Sequence, residues 1–68
     1  MVNMELLEAK IRDSGLSKKH IASKLGITTQ AFWKKRIGEN EFTASEISVL
    51  CDLLKITSMQ EMKQIFLA

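Results

Sequence analysis

Apolar residues recur at intervals of three and four along most of this chain, with polar and charged residues between them. Such spacing puts the apolar side chains on one face of an α-helix. No segment alternates polar and apolar residues over the length of a strand, so we predict no sheet. We predict an all-α fold, a compact bundle of about five short helices in a single domain over residues 1–68. The approximate helix bounds are 4–13, 18–25, 29–36, 44–54 and 59–66.

Residue types suited to helix ends support these bounds. A short polar side chain before a helix can accept hydrogen bonds from the unpaired amides of the first turn. Such N-caps are predicted at Asn3, Ser17 and Thr28. Residues 43–46 (Thr-Ala-Ser-Glu) and 58–61 (Ser-Met-Gln-Glu) have the spacing of capping boxes. Glycines, which tolerate positive φ, follow the first three predicted helices at Gly15, Gly26 and Gly38.

The second and third predicted helices are joined by a very short turn, within the sequence LSKKHIASKLGITTQAFWKKRIG at residues 16–38. Ala22 is small and Gly26 has no Cβ, so the two helix backbones can approach closely. Ile27 is expected to fill the space between the helices, and Phe32 to anchor the third helix in the core. This is the helix-turn-helix pattern, whose second helix enters the DNA major groove.

Charge is distributed unevenly along the chain, although the net charge is only +2. Residues 12–36 contain seven of the ten Lys and Arg residues but only one of the eight acidic residues. The positive charge therefore coincides with the helix-turn-helix pattern. A basic patch on such a unit is the electrostatic footprint of phosphate binding.

The stretch LSKKHIASKLGITTQAF resembles the phage-type Cro/C1 (XRE-like) family of helix-turn-helix repressors, and GENEFTASEISVLCDLLKIT resembles a subgroup of small prophage regulators. The resemblance implies a lambda-repressor-like fold with helices 2 and 3 as the helix-turn-helix. It further implies a Cro-like or short repressor that binds double-stranded operator DNA as a dimer and blocks polymerase sterically. The expected location is the cytoplasm of a bacterial host, on DNA.

Two positions depart from the pattern of this subgroup. Arg36 stands where members tend to have an apolar residue, and Ile37 comes one position late. We therefore expect a distorted last turn in helix 3. His20 replaces the Glu or Gln of a capping box, which leaves that box incomplete, and we interpret it as an ordinary surface side chain.

The helical spacing separates the faces of helix 3. With Phe32 at the buried centre, Gln30 and Lys34 point outward. The base-contacting positions of the family correspond to Thr29, Gln30 and Lys34. Gln suits the N6/N7 edge of adenine and Lys the O6/N7 edge of guanine; the alternative is a solvated polar face.

A second set of residues is expected at the DNA backbone. Lys18 lies at the start of helix 2, where family members contact phosphate, although any single lysine fits a solvated position equally well. The predicted backbone contacts are Ser17, Lys18, Thr28, Lys35 and Arg36. Trp33 has two interpretations, contact with DNA or packing against helix 4 or a partner subunit.

Apolar residues beyond the needs of one small core follow the helix-turn-helix, and we predict that part of this set forms a homodimer interface that assembles on DNA. The set is Val49, Leu53, Met59, Met62 and Phe66. The alternative function is a helical protein-interaction module, such as an antirepressor, that keeps the fold without specific DNA binding.

Other classes of protein are not favoured. No apolar run reaches the length of a membrane span, and the first residues do not resemble a signal peptide. Cys51 is the sole cysteine, which excludes an intramolecular disulfide and a Cys-based zinc site; we expect it to be a small buried residue. We find no catalytic arrangement and expect no enzyme activity, cofactor, metal or small-molecule ligand.

Overall fold

Five α-helices make up the secondary structure in the computed structural model, which describes residues 2–67. Their bounds are α1 Met4–Ser14, α2 Lys18–Leu25, α3 Thr29–Arg36, α4 Ala44–Leu54 and α5 Met59–Phe66. Residues 2–67 contain no strand. The all-α prediction is confirmed, and each helix bound agrees with the sequence-based one to within a residue. No helix in this part of the chain has the length and apolar character needed to cross a bilayer.

Every helix begins at an N-cap whose backbone is extended and whose side chain accepts an amide three residues later. The five caps are Asn3, Ser17, Thr28, Thr43 and Ser58. The capping box of α4 is complete, because the Glu46 carboxylate also accepts from the Thr43 amide at 2.9 Å. The box predicted for α5 is wrong in its second half: the Glu61 carboxylate lies 2.8 Å from Lys10 Nζ and joins α5 to α1 instead.

The carboxyl ends of α2 and α3 share one backbone pattern. Gly26 and Gly38 both have positive φ, 74° and 87° respectively. After α2, the amide of Ile27 donates to the carbonyl of Ala22 at 3.0 Å, as in a Schellman motif. The equivalent bond after α3 joins the residue beyond Gly38 to the carbonyl of Lys34. Helix α3 therefore runs unbroken to its last residue, and the expected distortion is wrong.

One enclosed side chain from each helix forms the centre of the core. These five are Leu7, Ile21, Phe32, Leu50 and Ile65, in order from α1 to α5. Burying a side chain of this size stabilises the fold by about 1.5–3 kcal/mol. Phe42, from the connection between α3 and α4, packs edge to face on Phe32 and Phe66, with ring centroids 6.1 and 5.7 Å away. The contact with α5 was not predicted.

Candidate nucleic-acid interface

The start of α3 is fixed by α2 and by its own cap. Only three residues separate the two helices, and the hydroxyl oxygen of Thr28 accepts from the amide of Ala31 at 3.0 Å. Helix α2 packs on both α3 and α4, and the Phe32 side chain is fully enclosed. The first turn of α3 is thereby held at the surface, where Thr29 and Gln30 are exposed.

The three predicted base-contacting residues lie on the accessible side of α3. Thr29 and Gln30 are exposed, and Lys34 is half-buried one turn beyond Gln30. Within residues 2–67 the Lys34 ammonium makes no hydrogen bond or ion pair. The amide of Gln30 and the ammonium of Lys34 are therefore both available to an external ligand.

The start of α2 presents a second group of exposed polar residues. They are Ser17, Lys18, Lys19 and His20. Lys18 Nζ lies 3.3 Å from Glu8 Oε1, but 52% of its side chain remains exposed, so this contact is a weak surface ion pair. The Ser17 hydroxyl oxygen accepts from the amide of His20 at 3.0 Å, and its proton remains free to be donated outward.

Acidic residues are distributed unequally among the five helix starts. The first turns of α1, α4 and α5 contain Glu5, Glu46 and Glu61. The first turns of α2 and α3 contain no acidic residue. The positive ends of these two helix dipoles are therefore uncompensated by an acid on their own helix, which favours an external anion.

The prediction that Arg36 contacts phosphate is wrong. The side chain is only 4% exposed, and its guanidinium lies 4.6 Å from the centroid of the Phe32 ring. Its Nη1 donates to both carboxylate oxygens of Glu8, at 2.8 and 3.0 Å, while its Nε has no partner within residues 2–67. Arg36 faces inward because it lies one turn beyond Phe32 on the core side of α3, where Glu8 neutralises its charge.

Lys35 is likewise not available for the predicted phosphate contact. Its ammonium donates to the Glu46 carboxylate and to the carbonyl of Glu41, both at 3.0 Å, and the side chain is 15% exposed. Burial raises the pKa of Glu46, but hydrogen bonds from Thr43 and Lys35 outweigh burial and hold that pKa below its ordinary 4.5. The lysine joins α3 to α4.

Trp33 lies at the surface of α3. The indole is 46% exposed, and the Arg36 guanidinium lies 5.6 Å from its centroid. The remaining indole surface lies open on α3.

The predicted dimer residues do not form one continuous surface. Phe66 is 3% exposed and belongs to the core, so its assignment to the interface is wrong. Met59 is 68% exposed and lines an open groove between α4 and α5 with half-buried Met62. Leu53 instead lines a separate depression beside α1. Val49 is half-buried.

The groove between α4 and α5 also contains two residues whose setting was not predicted. Cys51 is half-buried rather than buried, and desolvation, aided by the charges of Asp52 and Glu61, raises the pKa of its thiol. Leu67, directly after α5, is 61% exposed and adds to the apolar lining. Helical periodicity could not identify Leu67, because it lies outside a helix.

A metal site and likeness to known proteins would be further guides to function. Residues 2–67 contain no group of three or more His, Cys, Asp or Glu side chains placed to bind a metal ion. No protein-family model matches this chain, and comparisons with curated proteins and with solved structures give no significant match either. The functional proposal therefore depends on the residues and geometry of the chain itself.

Proposed function

We propose that this protein is a sequence-specific DNA-binding transcriptional regulator of phage or prophage type, a Cro-like or short repressor in a bacterial cytoplasm. In this proposal α2 and α3 form a helix-turn-helix, and α3 enters the major groove. The observation that carries the proposal is the exposed first turn of α3, polar, free of acidic residues and adjacent to a similar first turn of α2. The sequence resemblance to Cro/C1 repressors supports it.

Base contact is assigned to α3. Gln30 would bind an adenine edge through its amide and Lys34 a guanine edge through its ammonium, with Thr29 beside them. The helix has eight residues and is about 12 Å long, so it can follow only a few base pairs. A single copy therefore contacts a short half-site.

Phosphate contact is assigned to the helix starts and to the exposed lysines near them. Lys18, Lys19 and Lys24 are exposed on α2. Ser17 and Thr28 accept amide hydrogens with their hydroxyl oxygens and can donate their hydroxyl protons to phosphate oxygens. These contacts would fix the orientation of α3 without distinguishing sequences.

Two copies are needed for a full operator. The described chain measures 28 × 24 × 21 Å, whereas half-sites on one face of the duplex are about 34 Å apart. A homodimer that pairs through the α4–α5 groove, with Met59, Met62 and Leu67 at the contact, would supply two copies of α3 related by two-fold symmetry. Occupying an operator in this way would exclude polymerase.

A helical protein-interaction module without specific DNA binding is the second candidate. The exposed Met59 and Leu67 favour it, because apolar side chains grouped at the surface mark protein contacts. In that case the basic face of α2 and α3 would have no role in binding a duplex.

Binding to a labelled duplex, measured by fluorescence anisotropy over a range of salt concentrations, separates the two candidates. We expect the logarithm of the binding constant to fall linearly with the logarithm of salt, by about 0.9 per phosphate contact. Sedimentation of the operator complex should give two chains per operator. Absence of duplex binding at low salt would contradict DNA regulation, and one chain per full operator would contradict the dimer.

A further inference from the structure

Trp33 is the residue on the candidate interface whose role the proposed function leaves open. It is the sole Trp of a chain that has no Tyr. It follows Gln30 by three residues and precedes Arg36 by three, so it lies between the outward and the buried faces of α3. Nearly half of the indole is exposed, as is the Ile37 side chain one turn later.

A chain of contacts fixes the covered side of the indole. The Arg36 guanidinium lies 5.6 Å from the Trp33 centroid and 4.6 Å from that of Phe32, distances within cation–π range. The same guanidinium donates to the Glu8 carboxylate. Since Phe32 is fully enclosed, the indole is stacked on a group that cannot move without disrupting the core. The other side of the indole is therefore presented in a fixed orientation.

We propose that Trp33 is a specificity-determining residue that makes an apolar contact with a thymine methyl group in the major groove, with Arg36 and Glu8 as positioning residues. This inference rests on the proposed function, in which α3 binds duplex DNA. The thymine C5-methyl is the apolar group on the major-groove edge of a base pair. An indole held beside Gln30 would meet such a methyl at a base pair next to the one that the amide contacts.

The chemistry around Trp33 favours DNA over a protein partner. Its helical neighbours toward the outward face are Gln30 and Lys34, and the Lys34 ammonium has no hydrogen-bond or ion-pair partner within residues 2–67. A cation without a counter-ion suits a phosphate-rich ligand and is depleted from the centres of protein interfaces. The exposed apolar side chains Met59 and Leu67 lie elsewhere, on the α4–α5 groove.

Intrinsic fluorescence gives a direct readout, because Trp33 is the sole tryptophan. We expect its emission to change on duplex binding, with the same midpoint as the anisotropy of a labelled duplex. In the free protein, Arg36→Met should increase quenching of the indole by acrylamide, since the covering guanidinium is gone. The salt dependence of DNA binding should stay unchanged in that variant, because Arg36 contacts no phosphate.

Thymine-to-deoxyuridine replacement, one position at a time in an operator selected from random duplexes, tests the methyl contact itself. We expect wild-type protein to lose about fourfold in affinity at one symmetry-related pair of positions, the effect of one buried methyl group. Trp33→Ala should lose affinity for the thymine operator but show no further loss with deoxyuridine. Ile37→Ala, a matched removal of an exposed apolar side chain on α3, should retain the wild-type deoxyuridine effect.

Each contrary outcome identifies what fails. An equal loss by Trp33→Ala on all duplexes would mean contact with the DNA backbone and would overturn the inference. A change of emission with protein concentration alone would mean a protein contact and would also overturn it. Binding of labelled duplex with unchanged Trp33 emission would overturn the inference and leave the proposed function standing. Absence of duplex binding would overturn both.

Discussion

The first turns of α2 and α3 differ from those of α4 and α5 in one respect. All four helices begin with a Ser or Thr cap that accepts an amide. Helices α4 and α5 add Glu46 and Glu61 in the first turn, whereas α2 and α3 add no acid. An acid at this place stabilises a helix by about 0.3–1 kcal/mol. Helices α2 and α3 thus lack the stabilising acid that α4 and α5 have in their first turns.

The basic residues of α2 and α3 fall into two groups. Lys35 and Arg36 are paired with Glu46 and Glu8 and join helices together. Lys19 and Lys24, on α2, are exposed. The basic residues of α2 and α3 therefore either form internal ion pairs or remain accessible at the surface. Only the accessible ones are free to bind a nucleic acid. In our account, the helix starts without acids are the ones that face phosphates.

The largest expected effect comes from Glu8, the acid that pairs with the buried Arg36. Glu8→Ala leaves the buried guanidinium of Arg36 unpaired, and we expect the free energy of unfolding to fall by about 3 kcal/mol. Urea denaturation measures this. Adding Arg36→Met to Glu8→Ala should recover most of the loss, because the unpaired charge is then removed. Glu5→Ala, at an exposed position in the first turn of the same helix, should lower the free energy of unfolding by at most about 1 kcal/mol, and a loss equal to that of Glu8→Ala would contradict the assigned role of Glu8.

Gln30→Ala and Lys34→Ala test the accessible part of α3. Each should weaken binding to the selected operator by about 1–3 kcal/mol and relax the preference at one base pair. Neither side chain makes an internal hydrogen bond within residues 2–67, so the urea midpoint should hardly move. Lys63→Ala removes an exposed lysine from α5 and should leave operator affinity unchanged. Unaltered affinity and site preference in both α3 variants would refute the assignment.

Glu46→Gln tests the acid in the first turn of α4. The folded protein holds the pKa of this carboxyl below 4.5, so its contribution to stability is present above that pH and is lost as pH falls through the lowered value. We expect a loss of about 1 kcal/mol at pH 7, because Gln can still complete the capping box but the Lys35 ammonium loses its charged partner. The difference from wild type should shrink on acidification, as measured by thermal unfolding at several pH values. Glu39→Gln, at an exposed loop position, serves as the control, and a difference that did not vary with pH would contradict the proposed linkage.

The smallest expected effect is that of Lys18→Ala. This variant should weaken binding to all duplexes alike and reduce the slope of the salt dependence by about one unit. Anisotropy titrations on the selected operator and on an unrelated duplex measure both quantities. A loss confined to one sequence would indicate that Lys18 contacts a base.

Local rules were sufficient to predict the helices. The caps Asn3, Ser17 and Thr28 and the closing Gly26 act within a few residues of their own position, so the sequence specifies them without knowledge of the tertiary structure. The spacing around Phe32 likewise identified the accessible residues Thr29 and Gln30. Their roles on DNA stay predictions.

Tertiary partners account for the failures. Arg36 and Lys35 were counted as surface charges because their partners lie far away in sequence, Glu8 on α1 and Glu46 on α4. Periodicity also could not distinguish buried Phe66 from exposed Met59, since both belong to one short helix. Helical spacing alone does not decide whether a side chain is exposed or buried when its partner is distant in sequence.

Substituting His20, the third residue of α2, decides whether the start of α2 faces phosphate. His20→Glu would complete a capping box with Ser17, and it places a negative charge at the start of α2. If the start of α2 faces phosphate, the new charge must stabilise the fold but weaken duplex binding. We predict that the free energy of unfolding rises by about 0.5 kcal/mol while duplex affinity falls in the same preparation. A more stable variant that binds the duplex as tightly as wild type would contradict a phosphate contact at the start of α2.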